Sequence, residues 1–174
     1  MLFKHLSLLS LATLAVGQIV PDLPTFFLTT PEVSELVGLV TGYPEVYGIL
    51  GSAKNITLLA PSNNAVEAFQ ALPQTKKLTK VEMAAVLSNH VLVGAYPSAA
   101  FNAVPMFPDT FMGAVPKFRN ISGDPQVVKL LKEGKDSNVY GGINQKAKIT
   151  RAVSNQSSNS PPPPQIRNLL MEDV

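Results

Sequence analysis

The sequence predicts an α+β domain. Helix-type apolar periodicity is confined to the stretch from Thr30 to His90. From Gly94 onward it gives way to short β-branched and aromatic runs punctuated by Gly, Pro, Asn and Asp. Helices first and strands later favour α+β over a doubly wound sheet. A length of 174 residues, 45% hydrophobic and 15% charged, suits one ordinary core rather than a charge-rich disordered chain.

Taken in order, the elements begin with a removable segment. Lys4 and His5 precede the apolar run Leu6 to Val16, and Ala15-Val16-Gly17 sets small residues before Gln18. That is the plan of a secretory signal peptide over residues 1–17, too short for a membrane span. Thr30-Pro31-Glu32 then reads as a helix start, with a capping hydroxyl, proline at the first helical position and an early acid. Val33, Leu36, Val37 and Val40 form its stripe, and Gly42 stops it. A short helix follows from Pro44 to Leu50, and Ile56 to Ala60 is a buried strand. Ser62 or Asn63 caps the next helix, which holds Ala65, Val66, Phe69 and Leu72. Thr79 and Glu82 make a capping box for a third helix with Met83, Val86, Leu87 and His90 on one face.

The later strands are Thr110 to Met112, Lys117 to Arg119, Gln126 to Lys132, Asn138 to Tyr140 and Ala147 to Val153. Val127, Val128, Leu130 and Leu131 do not alternate, which leaves room for a bulge or a helical turn. From Ser154 the chain is serine-rich and then holds Pro161 to Pro164, so residues 154–174 read as an extended, mobile tail.

Composition removes several classes of function. Cysteine is absent, which excludes disulfide scaffolds, thiolate metal sites and cysteine nucleophiles. The net charge of +2, without a basic run, argues against nucleic acid as a partner. Phosphate loop, dinucleotide fingerprint and Gly-x-Ser-x-Gly elbow are all missing. Neither a metal site nor a cofactor site is expected. Once the leader is removed, His90 is the single histidine, and on an apolar stripe it reads as a structural residue rather than a base or ligand. Asn55, Asn120 and Asn155 each head an Asn-x-Ser/Thr triplet, an acceptor for N-glycan in a secreted chain. No later apolar stretch reads as a transmembrane helix, and the C-terminus lacks a GPI-type tail.

The run Asn55-Ile-Thr-Leu-Leu-Ala-Pro-Ser-Asn-Asn-Ala-Val-Glu-Ala-Phe69 resembles the first signature of fasciclin domains, with Thr57, Ala60, Pro61 and Asn63 at motif positions. Val86 to Tyr96 is similar to the family's leucine-rich helix, His-Val and Gly-x-Tyr segment. His90 stands at the family histidine and Asn89 where a tyrosine is usual. The resemblance covers residues 18–153. It implies a wedge of β-strands with N-terminal helices, and a role for His90 in tying the helix end to the strand and the cap around Asn63. The family's last hairpin, Asn-Gly leading to a Val-Ile/Val-His-Val-Ile-Asp strand, is missing. The reading is therefore of a domain truncated at its C-terminus by an altered transcript or gene model. It should be marginally stable and open to self-association through an unpaired strand edge.

The function this resemblance implies is adhesion. The chain would be secreted to the cell surface or extracellular matrix, where it would bind a protein or glycan without catalysis. Two other readings stand beside it. One is a cell-wall structural component or a non-functional truncated product, and the other is a secreted hydrolase centred on His90.

Overall fold

Strand β1 (Ile56–Pro61) is the apolar run the sequence marks most clearly, and the rest of the molecule is built on both its faces. The computed structural model describes residues 23–52, 55–114, 118, 123–141, 146–154 and 166–173. Residues 1–17, Asn120 and Asn155 lie outside them. Ahead of β1 come α1 (Leu23–Thr29), α2 (Ser34–Thr41) and α3 (Pro44–Ser52). After it come α4 (Asn63–Ala71), α5 (Lys80–Asn89) and β2 (Val91–Val93). The sheet continues with β3 (Lys129–Glu133), β4 (Asp136–Tyr140), β5 (Lys146–Ser154) and β6 (Ile166–Asp173).

Ile56, Leu58 and Ala60 face the helices and join Val33, Leu36, Val46 and Leu87 in one core. Leu59 points the other way, into a second core with Leu92, Phe101, Val128, Leu130, Val139 and Ile149. A strand covered on both faces has no reason to alternate apolar with polar residues. Helices on one side and strands on the other make the α+β class of the expectation.

The strands run in the order β2-β1-β6-β5-β4-β3. β6 is parallel to β1 and antiparallel to β5, from Ile56↔Ile166 to Pro61↔Met171 on one side and from Ala147↔Asp173 to Ser154↔Arg167 on the other. This corrects the expectation at the C-terminus. Ile166–Asp173 is not tail but a central strand, the antiparallel neighbour of β5 and the parallel neighbour of β1. The expected unpaired edge disappears with it, because β1 and β5 are both occupied by β6.

The outer strands are covered as well. The Met106–Thr110 segment bridges β2 at Leu92↔Thr110 and the β3 side of the sheet at Met106↔Leu130 and Asp109↔Val127. Hydrogen bonds from Val93 N–H to Asp109 O (2.9 Å) and from Leu130 N–H to Met106 O (2.8 Å) close the sheet on itself. Ladder groups that would template aggregation are thereby satisfied.

Smaller differences follow the same logic. Thr110 to Met112 is a bridge running into a 3₁₀ turn at Phe111–Ala114, not a strand. Lys117 and Arg119 lie outside the described residues. Between Val127 and Leu131 burial alternates regularly, with Val128 and Leu130 inside and Val127 exposed, so neither bulge nor helical turn interrupts it. The register shift lies in β5 instead, between Ile149 and Arg151. The β3–β4 hairpin turns on Gly134 at φ +62°, a conformation glycine adopts freely.

Candidate functional site

The motif residues cluster where β1 hands over to α4. Ala60 is fully buried against the helices, and Pro61 closes the strand. Ser62 is the N-cap of α4, its hydroxyl accepting from Ala65 N–H at 3.4 Å. Asn63 is then free to reach another helix. Its Oδ1 accepts the backbone N–H of Glu35 at 3.0 Å, and its Nδ2 donates to Pro31 O at 2.9 Å and to Ser34 Oγ at 3.0 Å.

That contact replaces the cap expected from Thr30. The chain first makes a 3₁₀ turn at Pro31–Val33, so α2 begins one turn later than the Thr-Pro-Glu signal implies. Thr30 contributes only its carbonyl, to Val33 N–H at 3.2 Å, and makes no side-chain cap bond. Val33 precedes α2 without a capping group. The first N–H groups of a helix lack internal partners, and Asn63 answers one of them from across the packing interface.

A second junction ties β1 to the exit of α5. Thr57 is completely buried; its hydroxyl donates to Gly94 O at 2.9 Å and accepts from Tyr96 N–H at 2.9 Å. Gly94 N–H returns to Asn55 O at 2.9 Å. Gly94 sits at φ +111°, and a Cβ there would lie 3.0 Å from Cε2 of Tyr96. The Gly-x-Tyr pattern is thus a backbone turn closed by a ring.

His90 caps the end of α5, which opens on the expected box: Thr79 Oγ1 accepts Glu82 N–H and Glu82 Oε2 accepts Thr79 N–H. The histidine is half-buried, and its Nδ1 lies 2.9 Å from Val86 O, one turn back. A carbonyl can only accept, so Nδ1 carries the proton. The main chain of His90 also serves the fold, its carbonyl accepting Leu59 N–H at 2.8 Å. Helix end and strand are therefore tied together by this residue's backbone, while the bonds of Asn63 run to Pro31, Ser34 and Glu35.

One polar group was not visible in the sequence. On the outer face of the sheet, register aligns Lys129, Tyr140 and Lys146 across β3, β4 and β5. Lys129 Nζ stands 3.7 Å from the centre of the Tyr140 ring. Glu133 pairs with Lys146 at 2.9 Å and accepts from the Nδ2 of buried Asn138 at 2.9 Å. Hydrogen bonds from Tyr140 and Lys146 hold the Glu133 carboxyl below its usual range, and the same carboxylate raises Tyr140 and Lys146. Only the strand pairing brings these residues together. Lysines and a tyrosine eleven and six residues apart carry no local signal.

A shallow depression lined by Ser98, Lys135, Asp136, Ser137, Ile149, Thr150 and Arg151 holds about 200 Å³. Ordinary ligand pockets run from roughly 300 to 1,000 Å³ with mostly apolar walls. Among the described residues, no group of three or more His, Cys, Asp or Glu side chains is placed to hold a metal ion. Nor is any helix among them long and apolar enough to cross a membrane.

Residues 31–159 match the family model of the Fasciclin domain. A search of curated proteins finds no match. Among solved structures, the chain is similar to a FAS1 domain pair from the insect cell adhesion molecule Fasciclin I. The TM-score is 0.49 and the identity 12%, with 79% of this chain and 43% of that chain covered. The chain therefore spans less than half the length of that two-domain structure.

Proposed function

Because the chain belongs to the fasciclin domain family, we propose that it is a secreted adhesion protein that binds a protein or glycan at the cell surface or in the extracellular matrix, without catalysis. A cell-adhesion type of role, with extracellular partners, comes with the family in general. Secretion and the non-catalytic character are the finer parts of the proposal. The signal-peptide pattern of residues 1–17 and the acceptor triplets at Asn55, Asn120 and Asn155 support the first. The second is supported by how the motif residues are used: Thr57, Asn63 and the Nδ1 of His90 are engaged by backbone groups of the fold.

The observation that carries the reading is the family match over residues 31–159. Its test is attachment. Purified chain coated on a surface should retain cells or matrix components above an uncoated control, and chain expressed with its leader should appear in the medium beginning at Gln18. Retention of the chain inside the cell, or no attachment across a panel of cells and matrices, would sink the proposal.

A further inference from the structure

The triplet Asn55-Ile56-Thr57 straddles the boundary between surface and core. Asn55 is exposed, at φ +58°, a left-handed conformation that asparagine tolerates better than most residues. Two residues on, Thr57 is 0% exposed, and Ile56 between them is 1% exposed. A threonine hydroxyl has one proton to donate. That of Thr57 is given to Gly94 O, while Tyr96 N–H fills the acceptor side. The backbone of the triplet is also paired, through Ile56↔Val93 with β2 and Ile56↔Ile166 with β6.

Transfer of an N-glycan needs the Asn55 amide to react while the Thr57 hydroxyl is read. The Asn55 amide nitrogen would attack the anomeric carbon of a lipid-linked oligosaccharide pyrophosphate. The C–N bond forms as the C–O bond to pyrophosphate breaks, and the amide loses one proton to the transferase. The acceptor is recognised through the hydroxyl two residues on. In the folded domain that hydroxyl is enclosed and its proton committed.

We propose that Asn55 is a glycan acceptor only before the domain folds, and that pairing of Thr57 with Gly94 and Tyr96 closes the site. The order of synthesis provides the interval. Thr57's partners lie 37 and 39 residues downstream. At roughly 5–20 residues per second they follow it by about 2–8 s. β6, which completes the pairing of β1, begins about 110 residues after Ile56 and arrives about 5–20 s after it. A glycan added in that interval stays outside, because the Asn55 side chain remains at the surface when β1 closes. This inference rests on the secreted reading above, since the transferase is met only in the secretory pathway. Purified components test it apart from that reading.

The experiment uses full-length chain made without glycans and carrying N120Q and N155Q, so that Asn55 is the sole acceptor. It is incubated with purified oligosaccharyltransferase and its lipid-linked donor. A synthetic peptide covering residues 50–62 and the Gly94→Ala, Leu169→Pro chain, checked by circular dichroism to be unfolded before use, serve as open substrates. Peptide mass mapping should show glycan at Asn55 in the open substrates and at least tenfold slower transfer to the folded chain. An Asn55→Gly control, which accepts φ +58° without strain, should take none. Equal rates on folded and open substrates overturn the proposal. So does failure of the open substrates while an unrelated Asn-x-Thr peptide is modified.

Discussion

Asn63 Oδ1 accepts the backbone N–H of Glu35 at 3.0 Å, so a residue at the head of α4 caps α2 at a position 28 residues earlier in the chain. The same side chain donates to Pro31 O and Ser34 Oγ. One asparagine thus links the starts of α2 and α4, whose apolar faces share the helix-side core through Leu36, Val40 and Val66. Replacing Asn63 with Ala should cost about 1–2 kcal/mol, the scale of a lost cap and its associated bonds. Thermal melts should fall by a few degrees. A variant within experimental error of the parent would show that α2 is held by packing alone.

Thr57 poses a sharper test because nothing else can take its place. Thr57→Val keeps the shape, yet it leaves Gly94 O and Tyr96 N–H without their side-chain partner in the interior. The expected loss is about 2–4 kcal/mol, with Thr57→Ser losing less. Gly94→Ala attacks the same junction from the other side, through φ +111° and the 3.0 Å approach to the Tyr96 ring. Denaturant melts of the three single variants, and of Thr57→Val with Gly94→Ala, should show non-additive losses.

Leu169 pairs in register with Leu59 on one side and Ala152 on the other. Proline there removes a ladder N–H in the middle of the sheet, where strands do not tolerate it. We expect a loss of about 1–3 kcal/mol or more from the ladder partner left unsatisfied and a chain that populates partly folded forms, seen as a broadened melt and early proteolysis. A cooperative melt like the parent's would place β6 outside the folding unit.

The Glu133 group predicts how stability changes with pH. The carboxyl of Glu133 is lowered, so its contribution is present above its usual value of 4.5 and is lost as pH falls through the depressed one. Tyr140 and Lys146 are raised from 10.0 and 10.5, so theirs is present below those values and lost as pH climbs beyond them. Glu133→Gln should reduce stability between about pH 5 and 9 and converge with the parent as pH falls through the lowered Glu133 value. All three groups are at the surface, so the difference should shrink in high salt. Melting temperatures across pH, at two salt concentrations, provide the check.

The parts of this fold that were legible in the sequence are those whose causes are local. The Thr79–Glu82 box lies within one turn, and β1 announces itself as Ile-Thr-Leu-Leu-Ala. His90 falls at the end of its helix by counting alone. What was not legible depends on partners far along the chain. β6 carries Arg167, Glu172 and Asp173 and follows four prolines, so no local window marks it as a strand; β1 and β5 do. Met106–Thr110 is disguised by Pro105 and Pro108, since proline cannot donate to a ladder. Pro108 contributes only its carbonyl, to Val128 N–H at 3.2 Å. The sequence offers Ser62 or Asn63 as the cap of α4; Ser62 takes that place, and Asn63 caps α2 instead, a role that only the packing of α2 on α4 reveals.

The central place of β6 has a mechanical consequence. Its ladder runs over six register positions with β1 and seven with β5. Strand-to-strand hydrogen bonds lie across the strand direction. Tension applied along β6 from its C-terminal side therefore loads both ladders in shear, all rungs together, instead of peeling them one at a time. Under the proposed adhesion role, a strand clamped on both sides is the part best placed to bear such a load.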